Sequence, residues 1–157
     1  VRLWRLTRAA HVALDGAGAA RHGTRYSAPG RPVVSLASEA GLAVLVVLRY
    51  LPRVVAGDLG GVDEDYLLGW TEVDAVPIRI SGRDDAEIRL QVDGWLTNRR
   101  SLLAAISSRV LPESDVVLMN PLHRDAAMVP PLTTRPFSFA DCLHVPPMLE
   151  RYQETPP

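Results

Sequence analysis

Across Val1 to Thr7, Leu3 and Arg5 alternate with Trp4 and Leu6, the period-two pattern of a strand with one packed face. His11 to Ala20 is small and glycine-bearing and reads as a loop. Gly18 to Arg31 is polar, with a Pro29-Gly30 pair that marks a turn. Pro32 to Ala37 is a β-branched run, predicted as a strand. Ser38 to Leu51 is apolar nearly all round and reads as a buried helix, with Ser38 as its N-cap and Pro52 as its stop. Pro52 to Glu64 is a Gly- and Asp-rich surface loop. Asp65 to Asp74 regains strand character, and Val76 to Ser81 is predicted at a sheet edge, because Pro77 cannot donate to a central ladder. Asp84 to Asn98 places Ile88, Val92, Trp95 and Leu96 at helical intervals behind an acidic first turn. Strands follow at 102 to 107, 116 to 120 and within 130 to 139, and a polar tail runs from Glu150. Strands outnumber helices and do not alternate with them regularly, so the pattern predicts an α+β fold: a strongly bent, mixed sheet with the helix of 38 to 51 buried against it.

Composition narrows this picture. At 157 residues, 47% of them hydrophobic, the chain is expected to form one domain spanning 1 to 157. A net charge of −1 carries no basic excess, so direct nucleic-acid binding is not expected. All 17 basic residues are arginine, the side chain suited to bidentate contacts with carboxylate and phosphate. The single cysteine, Cys142, excludes an internal disulfide and reads as a buried thiol of a cytosolic protein. His11 and His22 lack metal-ligand spacing and read as solvated loop histidines. No signal peptide is evident, and the apolar helix is shorter than the roughly 20 residues that a membrane span requires, so a cytoplasmic location is expected. Phosphate-loop, dinucleotide-fingerprint, nucleophile-elbow and zinc-protease motifs are all missing.

Candidate chemistry concentrates in arginines near glycines and aromatics. Arg25 and Tyr26 lie in a glycine-flanked loop where backbone approaches a ligand closely. There an arginine brackets a pyrophosphate and a ring covers a flat base, or the arginine only ties the loop to a carbonyl. Arg5 is either a strand arginine facing water or part of a site. Asn120, at a strand end before Pro121, satisfies a ligand amide or caps its own turn.

The ordered series Trp4-Arg5, Arg25-Tyr26-Ser27-Ala28-Pro29-Gly30-Arg31-Pro32-Val33-Val34, Asp93-Gly94-Trp95-Leu96, Ser107-Ser108-Arg109-Val110-Leu111-Pro112 and Asn120-Pro121-Leu122-His123 resembles the RES-domain family. The resemblance runs from Leu3 to Phe139. It implies an ADP-ribosyltransferase-like domain that acts on NAD as the toxin of a bacterial toxin–antitoxin pair. It further implies an Xre-like antitoxin as partner, a hetero-oligomeric assembly, and a protein side chain among the acceptors of ADP-ribose. Where the family's pattern carries tyrosine, glutamate and histidine, this chain has Ser35, Val46 and Tyr50.

Carried over residue by residue, the resemblance implies catalytic roles for Arg5 and Ser108 and NAD contacts for Arg25, Tyr26, Ser35 and Asn120. With Val46 apolar, Glu87 is expected to supply the carboxylate; the competing reading makes it one of three acids on a solvated helix end. Two functions follow: an NAD-cleaving or ADP-ribosyl-transferring toxin, or a catalytically silent relative that binds a ligand or partner.

Overall fold

The computed structural model describes residues 1–49 and 65–142. The expected loop of 52–64, Tyr50 and the polar tail lie outside the described residues. Seven strands form a single sheet: β1 (Arg2–Arg8), β2 (Val34–Ala37), β3 (Tyr66–Glu72), β4 (Ile78–Arg79), β5 (Leu103–Ser107), β6 (Asp115–Met119) and β7 (Thr133–Pro136), in the order β4-β5-β6-β2-β1-β3-β7. Every pairing is antiparallel except β4 with β5. The α+β class with a mixed sheet is therefore as the patterning predicts, and β4 sits at the edge that Pro77 suggests.

Alternation along the strands explains why both faces are covered. On β5, Ala104 and Ile106 turn to the cluster that holds Ile88, Val92, Trp95 and Leu96 of the helix α3 (Asp85–Asn98), while Leu103 and Ala105 join Leu3, Val34, Leu36, Val117 and Met119. A third cluster packs Leu42 and Ala43 of the helix α2 (Ala40–Leu48) on Leu6, Ala37 and Leu68. In α2 only Leu42 and Ala43 are fully buried; Val44, Val46, Val47 and Leu48 are half-buried against the same cluster.

Three local readings change. Ser38 does not cap α2: its hydroxyl accepts the Asp115 N–H at 2.9 Å, which staples the end of β2 to the start of β6, and Glu39 takes the N-cap place. The stretch 11–20 is not wholly loop. It holds the end of a 3-10 turn (Ala9–His11) and most of the helix α1 (Ala17–His22), which Asp15 starts by accepting the Ala17 N–H at 2.9 Å. Cys142 is exposed rather than buried, because the short helix α4 (Phe139–Cys142) spends its contacts on Phe139, which is wholly enclosed against Tyr66 and Phe137. Among the described residues, no helix is long and apolar enough to cross a membrane.

Gly94 is interior to α3, and a Cβ there would meet nothing within 4 Å. Replacing Gly94 by Ala removes backbone freedom from the unfolded chain without a clash, so Gly94→Ala is expected to stabilise by about 0.5–1 kcal/mol. In a thermal melt that corresponds to a midpoint higher by roughly 1–4 °C.

Candidate active site

The two halves of the sheet meet weakly. β1 pairs with β3 through seven register positions and β2 with β6 through four, whereas β1 and β2 share a single pair, Trp4 with Ala37. Beyond that pair the strands are not laddered, and side chains of both strands line the space that opens there. A cavity of about 500 Å³ is lined by Arg5 and Thr7 of β1, Ser35 of β2, and Asp15, His22 and Thr24 of the intervening segment. A second of about 440 Å³ adjoins it, sharing His22, Thr24 and Ser35 and adding Arg25, Tyr26, Val46, Ser108 and Arg109. A smaller apolar recess of about 190 Å³ lies between Trp4, Arg5, Ser35, Val46 and Val47. Ser35 borders all three.

Arg5 lines both the first cavity and the apolar recess. Its Nη1 is buried and has no hydrogen-bond partner among the described residues. Loss of hydration lowers its pKa from the usual arginine value, and the charge of Asp15 partly opposes that shift. It remains a cation at neutral pH. A desolvated, incompletely matched guanidinium at a cavity wall is a ready site for an anion.

Arg25 is held at both ends. Its carbonyl accepts from Arg89 Nε at 2.6 Å, and its own Nε donates to Asp85 Oδ2 at 3.0 Å. Arg109 Nη2 stands 3.0 Å from Asp85 Oδ1, so one carboxylate in the first turn of α3 gathers two arginines at the second cavity. Thr24 knits the loop beneath, its hydroxyl accepting the N–H groups of Tyr26 and Ser27. Gly23 adopts φ +72°, and a Cβ there would lie 3.0 Å from the Ser27 carbonyl, which is why this turn requires glycine. Tyr26 is buried in the core cluster under α3 and lies 5.7 Å beneath the Arg25 guanidinium carbon.

Five of the seven expected residues, Arg5, Arg25, Tyr26, Ser35 and Ser108, thus border the adjoining cavities. Ser108 does so while its hydroxyl accepts the N–H groups of Val110 and Leu111, as a turn-forming serine. The other two lie elsewhere. Glu87 does not line these cavities; its Oε2 accepts from the backbone N–H and Nε of Arg83 at 3.0 and 3.2 Å, while its N–H donates to the N-cap Asp84. The reason is register: position 87 is the third residue of α3, where a carboxylate reaches back over the helix start. Asn120 is fully buried and caps its own turn, accepting the Leu122 N–H and donating to the Leu96 carbonyl. His123 of the same motif accepts the Asp125 N–H and starts a 3-10 turn (Arg124–Met128).

Asp85 and Arg109 escape a reading confined to sequence spacing because their pairing joins distant segments, and Asp15, His22 and Thr24 because only the fold brings them to the cavity beside β1 and β2. Only the Asp-Gly pair at 15–16, a turn signal, hints at Asp15. Asp85→Asn removes the shared partner of Arg25 and Arg109, and its expected cost is about 1–2 kcal/mol in unfolding free energy. Because Arg109 is half exposed, the deficit relative to the parent should shrink between 0.1 and 1 M salt, as measured by denaturant titration.

Comparison with known proteins agrees with this architecture. The chain is 27% identical to "Toxin Res" of Photorhabdus laumondii subsp. laumondii over 134 residues, 78% of this chain and 83% of that protein. Its fold is similar to that in the crystal structure of the M. tuberculosis MbcT-MbcA toxin-antitoxin complex, with a TM-score of 0.69 and 16% identity over 87% of this chain and 84% of the matched one. The RES domain profile matches residues 2–140, nearly the whole described region, and the chain belongs to the RES domain family.

Proposed function

We propose that the cleft between β1 and β2 binds NAD and breaks the bond between nicotinamide and ribose, and that the protein is the toxin of a toxin–antitoxin pair. The observation that carries the reading is Arg5 Nη1, buried and unmatched beside a cavity of about 500 Å³. An anionic ligand supplies what that nitrogen lacks. The adjoining cavity of about 440 Å³, with Arg25 and Arg109 at its wall and Tyr26 and Val46 as apolar surface, suits the second half of a two-part ligand. A dinucleotide joined by a pyrophosphate has that shape and charge.

Breaking a glycosidic bond to a positively charged nicotinamide moves positive charge onto the ribose. The cleft's own residues contribute positioning: Arg5 and the Arg25–Arg109 pair fix the phosphates, and the Thr24 and Ser108 turns hold the second cavity's wall. The ADP-ribosyl group then passes to water, phosphate or a protein side chain, outcomes that mass spectrometry of the products separates. The likeness to a toxin named Res and to the fold of a toxin–antitoxin complex supports an antitoxin partner; that the partner is Xre-like and that the pair acts in the cytoplasm are carried by the family resemblance in the sequence. With no basic excess on this chain, contact with DNA falls to that partner.

One observation favours a second reading, a ligand-binding module without catalysis: Val46 borders the cleft at the position where the resemblance expects a glutamate, and Glu87 faces away. Induction of the chain without its neighbouring gene separates the two. Growth arrest with loss of cellular NAD is the expected result, and normal growth with unchanged NAD sinks the catalytic reading. Arg5→Gln is expected to lower NAD turnover by about a hundredfold. Since it also removes a desolvated charge with an unmatched nitrogen, the unfolding midpoint should stay level or rise.

A further inference from the structure

We propose that Asp15 is the catalytic carboxylate of this cleft, the group that faces the ribosyl cation as the nicotinamide leaves; the inference rests on the NAD reading above. Glycosidic cleavage calls for a carboxylate close to the carbon that gains positive charge. Among the described residues, Asp15 is the only acidic side chain that lines any of the three adjoining cavities, and it shares the largest with Arg5, Thr7 and Ser35. The competing acids near the cleft are already committed. Asp85 is shared by Arg25 and Arg109, Glu87 is bound by Arg83, and Asp115 is paired with Arg79. Asp15 forms no ion pair within 4.0 Å among the described residues.

Its place is set by the turn that carries it. Oδ1 accepts the Ala17 N–H at 2.9 Å, which fixes the side-chain rotamer and leaves Oδ2 without a partner among the described residues. Gly16, next in the chain, has φ +70°, and a Cβ there would come within 2.6 Å of the Val33 nitrogen. The turn is therefore pressed directly onto the segment entering β2, against the wall of the cleft. Carboxylate and guanidinium then flank one cavity, matching a substrate whose pyrophosphate is anionic and whose nicotinamide–ribose end is cationic.

In the reaction, the electron pair of the carbon–nitrogen bond departs with nicotinamide and neutralises its ring, while the ribose takes the positive charge. Asp15 stabilises that charge and accepts the proton of the attacking water as its oxygen bonds to the ribose carbon. ADP-ribose, nicotinamide and one proton are released.

The test is NAD turnover by the purified full chain and by Asp15→Asn, whose amide oxygen still accepts the Ala17 N–H. The expected result is a fall in kcat of at least about tenfold, with KM within about threefold and the melting midpoint preserved. Should Asp15→Asn fold poorly, Asp15→Ser keeps an acceptor oxygen and serves in its place. Unchanged kcat, or an effect confined to KM, overturns the role of Asp15 while leaving the NAD reading intact. A parent chain that binds NAD without turning it over, or does neither, overturns the catalytic reading and this inference with it.

Discussion

Keeping a guanidinium away from water with one nitrogen unmatched is expensive, and the packing around Arg5 determines how the cleft is built. Arg5 sits in a strand whose neighbours Leu3 and Leu6 are core residues, so the backbone that carries it cannot swing the side chain out to solvent. On one side β1 is laddered to β3 along its full length; on the other it touches β2 through one pair. The strand is thus rigid where it carries the arginine and open where the arginine looks out. A fully laddered β1–β2 junction would close the space and leave the charge with nothing to bind.

The second cavity follows a different logic. Its arginines are not left unmatched but gathered by Asp85, at the start of a helix whose other face anchors in the core through Ile88, Val92, Trp95 and Leu96. Helix α3 therefore does two jobs with one set of contacts. Its apolar face covers the sheet, and its first turn and Arg89 set the guanidinium and the carbonyl of Arg25. Because Arg25, Asp85 and Arg109 come from three separate segments, the wall of this cavity exists only when α3 is docked.

Several residues that look chemical in the chain prove to be architectural, and for one shared reason: polar groups at the ends of strands and helices must satisfy backbone donors and acceptors that the regular ladder leaves free. Asn120 and His123 do this after β6, Ser108 after β5, and Glu87 with Asp84 at the start of α3. Ser108 differs in that its turn also borders the cleft, so structure and site coincide there.

Hydrophobic periodicity alone pointed to strands at 2–7, 66–74, 102–107 and 116–120 and a helix at 84–98, each within two residues of the element that forms, because burying one face of an element requires apolar residues at its own repeat. The family resemblance carried by the ordered motif blocks implied Arg5, Arg25, Tyr26, Ser35 and Ser108, and all five line the adjoining cavities. What periodicity cannot encode is which distant side chain answers a charge. Glu87 and Asp85 sit two residues apart on one helix turn and are alike in the sequence, yet one reaches back to Arg83 and the other bridges Arg25 and Arg109. Only the docking of α3 on the sheet decided between them, because a helix turn of about 100° per residue sends neighbouring side chains to different faces. For Asp15 the sequence shows only the Asp-Gly turn; its place in the cleft comes from Gly16 pressing on Val33, a contact between segments that no local pattern records.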